Sequence, residues 1–352
     1  MNIYIMKVKI IGAGSIGNHL AQAARRMDWT VTVVDRDPEA LRRMKEEIYP
    51  SRYGAWDEKI TLKTVTEEPK GGFDIICIGT PPDVRMRIAR ACLAEKPKVL
   101  QLEKPLCVPH DNELEAFLKE CESQSETSVV VGYDHAVSES IAYFLEKARS
   151  QEMGEALTLD VEFREHWSGI FRAHPWLSGP QDTYLGFWKR GGGSGGEHSH
   201  AMHLWLYISK SLNFGNIKKV KSVMDMRNEG GTDYDAIAAF LMQVEDGRIG
   251  RVVQDVVTKP AKKIARVQAK NGYVEWICNG HPKGDIVRSQ VNDAPVEEMV
   301  IEKKRPDDFY REMLHIQSLI DGRIKKEDSP LSIDYGVEVM RILESSYRHE
   351  ND

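Results

Sequence analysis

The sequence predicts an α/β protein of two domains. The first is a doubly wound parallel sheet, and the second is an α+β domain with a large, mostly antiparallel open sheet. Short apolar strands alternate with helical segments as far as residue 134, and from residue 154 the hydrophobic pattern changes to a period of two. The length of 352 residues also exceeds what one ordinary core uses. We therefore place the domains at residues 1–134 and 135–352, with a C-terminal helix that could pack back on the first domain.

Composition and charge narrow the class of protein. A hydrophobic fraction of 41% beside 29% charged residues is typical of a soluble globular protein. The net charge of -6 is spread without long blocks of like charge, so we expect no nucleic-acid partner. No apolar run approaches the ~18 residues that a membrane span needs, so we expect no membrane partner. The five cysteines form no C-x-x-C pair, and the N-terminal segment lacks the long apolar core of a signal peptide. These features predict a cytoplasmic protein with reduced thiols.

The first domain opens with a glycine-rich turn between a strand and a helix. The apolar strand over 7–11 runs directly into Gly12-Ala13-Gly14-Ser15-Ile16-Gly17, and a helical pattern follows. This spacing in this setting is the fingerprint of a Rossmann dinucleotide-binding domain. Gly12 permits the tight turn, Gly14 lets the backbone approach a pyrophosphate, and Gly17 lets the helix pack closely on the strand. The helix N-terminus then supplies N–H donors to the phosphates.

The second strand ends in an acid that predicts the cofactor. Asp35 lies roughly 20 residues beyond the glycines, where a ribose-binding carboxylate is expected. Such a carboxylate accepts hydrogen bonds from both ribose hydroxyls and repels a 2′-phosphate, so NAD is favoured. Arg36 follows directly, and a guanidinium there could meet a 2′-phosphate, which leaves NADP open. The alternative is that Asp35 only caps the turn before Pro38.

Three later strands of the first domain run into polar or proline-containing segments. In doubly wound sheets, ligands bind at the carboxyl edge, where such strand ends meet. We assign the first segment and, from the second, Glu103 and Lys104 to the cofactor, and we assign the third segment to the substrate. They are Gly79-Thr80-Pro81-Pro82, Glu103-Lys104-Pro105 and Tyr133-Asp134-His135.

The order of these motifs resembles the Gfo/Idh/MocA family of oxidoreductases, and the likeness extends to Gly191-Gly192-Gly193 before a histidine-bearing helix. The resemblance implies an NAD(P)-dependent dehydrogenase. Such an enzyme moves a hydride between the nicotinamide and a hydroxyl-bearing carbon of a sugar, sugar acid, cyclitol or nucleotide sugar. It also implies that Lys104 contacts the substrate hydroxyl and helps to move its proton. From the residues alone, a surface ion pair of Lys104 with Glu103 is an equal alternative.

The helix that begins near Glu197 carries His198, His200 and His203. Matching it to the family pattern places the catalytic histidine at His200, where a neutral imidazole accepts the substrate proton as hydride leaves. The same match puts Gly196 where the family has an acid, so Glu197 or His203 would have to take that role. The four side chains are also competent zinc ligands. However, His198 and His200 point roughly 200° apart on a helix, and we expect no metal. A solvated polar loop is the remaining alternative.

Aromatic and polar residues are interleaved upstream of that helix. Aromatic side chains suit sugar faces, and charged groups suit hydroxyls, carboxylates or phosphates, although aromatic residues in such segments are more often core. Ala136 stands where the family often has an arginine, which indicates an atypical substrate. The candidate substrate residues here are Arg164, His166, Trp167, Arg172 and Trp188, with His198 from the helix.

The second domain also predicts self-association. The strands over 236–241 and 252–257 are apolar on both faces, and helices can cover only one. We expect the other face to meet a second copy of the chain, giving a homodimer or homotetramer. Two other functions stay open. An NAD-dependent glycosidase would oxidise its substrate transiently and release sugar without net NADH. A non-catalytic regulator would bind the cofactor without turnover.

Overall fold

The computed structural model describes residues 4–172, 176–304 and 306–349. Within these ranges the chain divides into two compact units. The first comprises residues 4–107, 111–134 and 306–333, and the second comprises 108–110, 135–172, 176–304 and 334–349. The predicted boundary assigns 306–333 to the second domain, whereas the structure groups this segment with the first unit. The helical stripe of this segment shows that it buries one face, but a stripe does not identify the surface that receives it.

The described residues form short and long α-helices in both units. In chain order they are α1 (Ser15–Arg26), α2 (Pro38–Arg43), α3 (Tyr49–Tyr53), α4 (Pro82–Leu93), α5 (Leu114–Ser123), α6 (Glu139–Ala148), α7 (Trp167–Arg172), α8 (Gly193–Glu197), α9 (Ser199–Ser211), α10 (Asp307–Ile320) and α11 (Ile333–His349). Of the helices in the described ranges, none has an apolar stretch that could traverse a lipid bilayer.

The first unit is a parallel sheet with helices on it, as the sequence predicts. Its strand order, β3-β2-β1-β4-β5-β6, reverses direction between β1 and β4, which is the doubly wound Rossmann topology. Every residue of β4 and β5 is buried, as expected for strands covered on both faces. The strands are β1 (Lys7–Ile11), β2 (Thr30–Asp35), β3 (Ile60–Thr64), β4 (Ile75–Ile78), β5 (Val99–Glu103) and β6 (Ser128–Gly132).

Helix α10 joins this first unit by packing on α1. The ring of Phe309 stacks on His19 with centroids 4.5 Å apart. Arg26 forms an ion pair with Asp307 at 2.8 Å near the start of the helix. The segment 306–333 is therefore attached to the nucleotide-binding fold by both apolar and charged contacts.

The second unit is a mixed sheet of the predicted, mostly antiparallel kind. Its order is β14-β13-β12-β11-β7-β10-β9-β8, and only the pair β7–β10 among its described neighbours is parallel. Helices α6, α8 and α9 pack on this sheet. The strands are β7 (Ala156–Arg164), β8 (Ile217–Glu229), β9 (Thr232–Val244), β10 (Ile249–Asp255), β11 (Lys262–Ala269), β12 (Gly272–His281), β13 (Gly284–Val291) and β14 (Glu297–Glu302).

Two strands were not predicted from the sequence. The edge strand β3 reads ITLKT, and only Ile60 within it is fully buried, so its hydrophobic signal is weak. Strand β13 reads GDIVRSQV and places Asp285 in the interior, where its carboxylate accepts a hydrogen bond from Ser140 at 2.6 Å. A buried charge breaks the apolar pattern that strand prediction depends on.

Candidate functional site

The glycine-rich turn has the geometry that its sequence predicts. Gly12 has a φ of +108°, which favours glycine. A Cβ at Gly17 would lie 1.9 Å from the carbonyl oxygen of Gly12, so the close packing of helix α1 on the turn requires glycine there. A Cβ at Gly14 would meet no heavy atom of the described chain within 4 Å. The first and third glycines therefore serve the fold, and the second faces open space.

Asp35 ties the end of β2 to this turn. Its Oδ2 accepts a hydrogen bond from the backbone N–H of Ala13 at 2.7 Å, and its Oδ1 accepts one from Asp37 at 2.9 Å. Each carboxylate oxygen accepts more than one hydrogen bond, so Asp35 retains capacity for ligand hydroxyls. Arg36 is exposed beside it. The turn-capping role considered in the sequence analysis and a ribose-binding role are thus compatible.

A buried arginine that the sequence analysis did not identify joins two of the predicted strand ends. Arg85 of α4 is 2% exposed, and its guanidinium donates hydrogen bonds to the carbonyl oxygens of Thr80, Glu103 and Pro105. The segments after β4 and β5 are therefore held together at the carboxyl edge. The hydroxyl of Thr80 is buried and makes no hydrogen bond within the described part of the chain. The sequence feature that could have indicated Arg85 is its position in the first turn of the helix that begins at Pro82.

Acidic groups are buried around Glu103, the residue directly before Lys104, in the first unit. Burial raises the pKa of Glu103 to about 7, although Arg85 and Lys104 oppose this shift. Burial also raises the pKa of Glu312 of α10 well above its usual value, and Glu103 and Asp134 raise it further. The side-chain amide of Gln101 donates a hydrogen bond to Glu312 at 3.2 Å. One alternative in the sequence analysis was an ion pair of Lys104 with Glu103 at the protein surface. Glu103 is buried, so it does not form an ion pair at the surface. Glu312 was not identified from the sequence, because α10 lies more than 200 residues along the chain from Gln101.

In the second unit, His200 lies against a second imidazole. The rings of His200 and His135 make an edge contact with centroids 5.1 Å apart, and Phe163 packs near both rings. His203, one of the two predicted partners of His200, is buried and makes an edge contact with Tyr335 at 5.4 Å. Glu197, the other predicted partner, is the last residue of α8. The structure thus adds His135 to the surroundings of His200.

The start of the histidine-bearing helix differs from the prediction. The sequence predicts one helix from about Glu197 after an irregular glycine run, whereas Gly193–Glu197 already forms a short helix, α8. His198 lies at the junction, with φ −100° and ψ 22°, and α9 continues from Ser199. The physical reason is a buried carboxylate, Asp235, which accepts a hydrogen bond from the N–H of Gly195 at 2.7 Å and stabilises the helical turn despite its glycines.

The predicted substrate residues of the second unit fall into three groups. Trp167 is buried in an apolar cluster, and Trp188 stacks on Tyr347 with centroids 4.6 Å apart. Arg164 donates a hydrogen bond to Asp255 at 2.5 Å, and the His198 ring lies 3.5 Å from the carbonyl oxygen of Glu165. His166 is half-buried and Arg172 is exposed. Tyr133 and Asp134, by contrast, are buried in the first unit.

The candidate residues are thus distributed over both units. Lys104 and the predicted cofactor residues belong to the first unit, and His200 with its neighbours belongs to the second. The first set suits the binding of a dinucleotide, and the second contains an imidazole, a group that can transfer protons.

Comparison with known proteins finds a family match within the first unit. Residues 6–133 match the family model GFO_IDH_MocA, described as an oxidoreductase family with an NAD-binding Rossmann fold. Over residues 6–133 this match confirms the resemblance that the motif order indicates, and NAD is the cofactor that the family description names. A curated protein, the Trk system potassium uptake protein TrkA of Streptomyces coelicolor, is 33% identical over 87 residues, or 24% of this chain. That match spans only 39% of TrkA.

Solved structures share the fold of the whole chain. GenD2 from gentamicin A biosynthesis, in complex with NAD, is 19% identical, with a TM-score of 0.73 and coverage of 100% of this chain and 96% of its own. An inositol dehydrogenase homologue from Azotobacter vinelandii, complexed with NAD+, is 20% identical, with a TM-score of 0.71 and coverage of 98% and 96%. The WlbA dehydrogenase from Bordetella pertussis, in complex with NADH and UDP-GlcNAcA, is 16% identical, with a TM-score of 0.70 and coverage of 99% and 97%.

Proposed function

We propose, because residues 6–133 match the model of the Gfo/Idh/MocA oxidoreductase family, that the protein is an NAD-dependent dehydrogenase of hydroxyl-bearing carbohydrates. It transfers a hydride between the nicotinamide and a hydroxyl-bearing carbon of a sugar, sugar acid, cyclitol or nucleotide sugar. The observation that carries the proposal is the glycine-rich turn. At Gly17 helix α1 packs directly on the backbone of the turn, whereas the space beside Gly14 holds no atom of the described chain and can admit a ligand. The dehydrogenases of similar fold named above support the substrate class.

The residues present fit NAD. The open side of Gly14 and the N-terminus of α1 would hold the pyrophosphate, since backbone N–H groups point outward there. Asp35 would hold the adenosine ribose through its remaining acceptor capacity, and its charge disfavours the 2′-phosphate of NADP. The buried hydroxyl of Thr80 and the segment around Lys104 would hold the nicotinamide half. When bound, NAD supplies the acceptor for the hydride.

Two side chains of this chain would handle the proton. The ammonium group of Lys104 donates a hydrogen bond to the substrate oxygen and polarises the O–H bond. A ring nitrogen of His200 accepts the hydroxyl proton while the hydride leaves the same carbon, so that the alcohol becomes a carbonyl.

The proposal includes self-association through the second unit. The sheet face that presents Ile237 and Leu241 of β9 also presents Val223 of β8, which is 72% exposed. On the same face, Arg251 and Asp160 form an ion pair at 2.9 Å. An apolar strip beside paired charges can meet its own copy across a two-fold axis, which supports a homodimer or a homotetramer.

We also place the reaction in the cytoplasm. Cys77, Cys92 and Cys121 are free thiols, as in proteins of a reducing compartment. Burial raises the pKa of Cys92 and of Cys121 to about 12, so these two thiols stay protonated and do not act as nucleophiles.

The test replaces Lys104 with Ala. Its matched control is Lys119→Ala, which removes an exposed amine from α5 of the same unit. We expect Lys104→Ala to lower kcat by about 100-fold or more, the size of a lost acid/base contribution, while calorimetry shows unchanged NAD affinity. Unchanged turnover in Lys104→Ala would refute the assigned role. Release of sugar from glycosides without net NADH would favour the glycosidase, and NAD binding without turnover of a carbohydrate panel would favour the regulator.

A further inference from the structure

A carboxylate outside the predicted site is fully buried beneath the glycine-rich helix α8. Asp235 of β9 is 0% exposed, and three groups donate hydrogen bonds to it. They are the hydroxyl of Ser194 at 2.6 Å, the N–H of Gly195 at 2.7 Å and the hydroxyl of Tyr347 at 2.7 Å. Burying a carboxylate is costly unless hydrogen bonds satisfy it. The arrangement is therefore a specific anchor for this short helix.

A second buried side chain donates a hydrogen bond to a backbone carbonyl group of the same helix. Gln254 of β10 is 0% exposed, and its amide donates a hydrogen bond to the carbonyl oxygen of Ser194 at 3.2 Å. That same oxygen accepts a hydrogen bond from the N–H of His198 at 2.9 Å. Ser194 is thus fixed through both its hydroxyl and its carbonyl group. His198, two residues before His200, is bonded directly to this fixed residue.

The anchor also explains why the segment before the histidines is rich in glycine. A Cβ at Gly193 would lie 1.9 Å from Oδ1 of Asp235, and Gly193 has a φ of +73°. A Cβ at Gly195 would lie 2.6 Å from the hydroxyl oxygen of Tyr347. The glycines therefore let the backbone of α8 approach the buried carboxylate and its tyrosine partner.

Tyr347 extends the anchor to a predicted substrate residue. Its hydroxyl donates to Asp235, and its ring stacks on Trp188 at 4.6 Å between centroids, with 23° between the planes. Trp188 lies in the segment that the sequence analysis assigned to the substrate. Asp235 is therefore linked on one side to α8, the short helix directly before the helix of His200, and on the other side, through Tyr347, to Trp188.

We infer that Asp235 is the positioning residue for His200, and that it replaces from a neighbouring strand the acid that the family pattern places at position 196. An acid four residues before a histidine orients the imidazole from the same helix. Here Gly196 offers no side chain, and Asp235 instead holds α8, the helical turn directly before the helix that carries His200. The inference rests on the proposed function for its kinetic consequences, but the position of His200 is measurable without turnover.

The test uses Asp235→Asn, with Asp246→Asn as the matched control. Asp246 lies in the exposed turn that follows the same strand and is paired with Arg248 at 2.6 Å. In Asp235→Asn the acceptor of two donors in α8 is weakened. We expect amide hydrogen exchange over residues 193–200 to rise about tenfold or more, as for a lost buried hydrogen bond. We also expect the NMR titration of the His200 ring to shift, and the control to show neither change.

Kinetics then separate positioning through His200 from a general structural effect. We expect Asp235→Asn to lower kcat about tenfold or more, to move the acid limb of the pH profile, and to leave NAD affinity unchanged. In a His200→Ala background, the same substitution should lower kcat no further, since the residue acts through the missing imidazole. Equal losses in the two backgrounds would overturn the inference.

A further variant keeps the test decisive if Asp235→Asn does not fold. Tyr347→Phe removes one donor to Asp235 but retains the ring that stacks on Trp188, and we expect the same changes at a smaller size. An unchanged His200 titration and unchanged exchange in a folded variant would overturn the inference whether or not the protein turns over carbohydrates. Failure of the proposed function would show instead as absent turnover in the wild-type protein.

Discussion

The two glycines Gly14 and Gly17 provide a matched pair that separates folding from cofactor binding. Each is replaced by alanine, which adds one methyl group at nearly the same place in the chain. The added Cβ at Gly17 would lie 1.9 Å from a backbone oxygen, whereas real contacts do not fall below 3.0 Å. Helix α1 and the turn would have to separate by about 1 Å. The added Cβ at Gly14 meets no atom of the described residues within 4 Å.

The expected magnitudes follow from this difference. Overpacking against backbone costs about 1–3 kcal/mol or more, and the better helix propensity of alanine returns at most about 1 kcal/mol. We expect Gly17→Ala to lower the Tm of the first unit by about 5 °C. Gly14 is the N-cap of α1 with φ −74°, which alanine adopts without strain, so Gly14→Ala should change stability by less than about 1 kcal/mol.

Cofactor affinity should show the opposite pattern. The methyl group in Gly14→Ala occupies the space through which the backbone approaches a pyrophosphate, so we expect NAD affinity to fall about tenfold or more. Scanning calorimetry of the apoprotein measures the first effect, and titration calorimetry with NAD measures the second. The reasoning is refuted if Gly14→Ala binds NAD as tightly as the wild type, or if Gly17→Ala is as stable.

Three further predictions concern stability and assembly. Glu103 keeps its proton up to about pH 7 in the folded state while the unfolded chain loses it near pH 4.5. The free energy of unfolding should therefore fall by roughly 3 kcal/mol as the pH rises through this window. Chemical denaturation at a series of pH values should show that the unfolding free energy of Glu103→Gln depends less on pH. The buried amine of Lys9 lies 2.9 Å from Glu68 and 2.6 Å from Glu95. Lys9→Ala should cost roughly 3–5 kcal/mol in a denaturant titration, because it leaves two carboxylates without their buried partner; a loss under about 1 kcal/mol would contradict this. Leu241→Glu should shift the mass in light scattering toward the monomer if this sheet face forms the interface, and an unchanged mass would exclude it.

Much of the first unit could be predicted because its signals are local. The turn over 12–17 stands directly between a strand and a helix, and the carboxylate that holds it, Asp35, ends the next strand. Both features lie within one βαβ unit, so a short sequence window contains the whole motif. The family-model match over 6–133 includes both features.

The contacts that sequence reasoning missed are distant along the chain. Glu312 accepts a hydrogen bond from Gln101, which is more than 200 residues away in the sequence. Asp235 of strand β9 accepts a hydrogen bond from Gly195 of α8. Neither carboxylate belongs to a recognisable sequence motif. Because Asp and Glu are usually exposed, the residue type alone predicts that both lie on the surface. Only the packing of α10 on the first unit and of α8 on its sheet brings them to their partners.

The glycine run shows how a local rule is overridden. Glycine disfavours helix by about 1 kcal/mol per residue, which predicts an irregular segment before Glu197. The helix forms nevertheless, because hydrogen bonds from Ser194 and Gly195 to one buried carboxylate favour it. A buried acceptor on a neighbouring strand is not visible in the run itself.

The most direct test of the account is the formation of NADH by the wild-type protein and by the variants Lys104→Ala and His200→Ala. The substrates are a panel of sugars, sugar acids, cyclitols and nucleotide sugars, supplied with excess NAD. We predict that at least one substrate drives NADH to accumulate well beyond the amount of enzyme, and that each variant loses this activity while still binding NAD. Full activity in either variant, or NAD binding with no NADH from any member of the panel, would contradict the central claim.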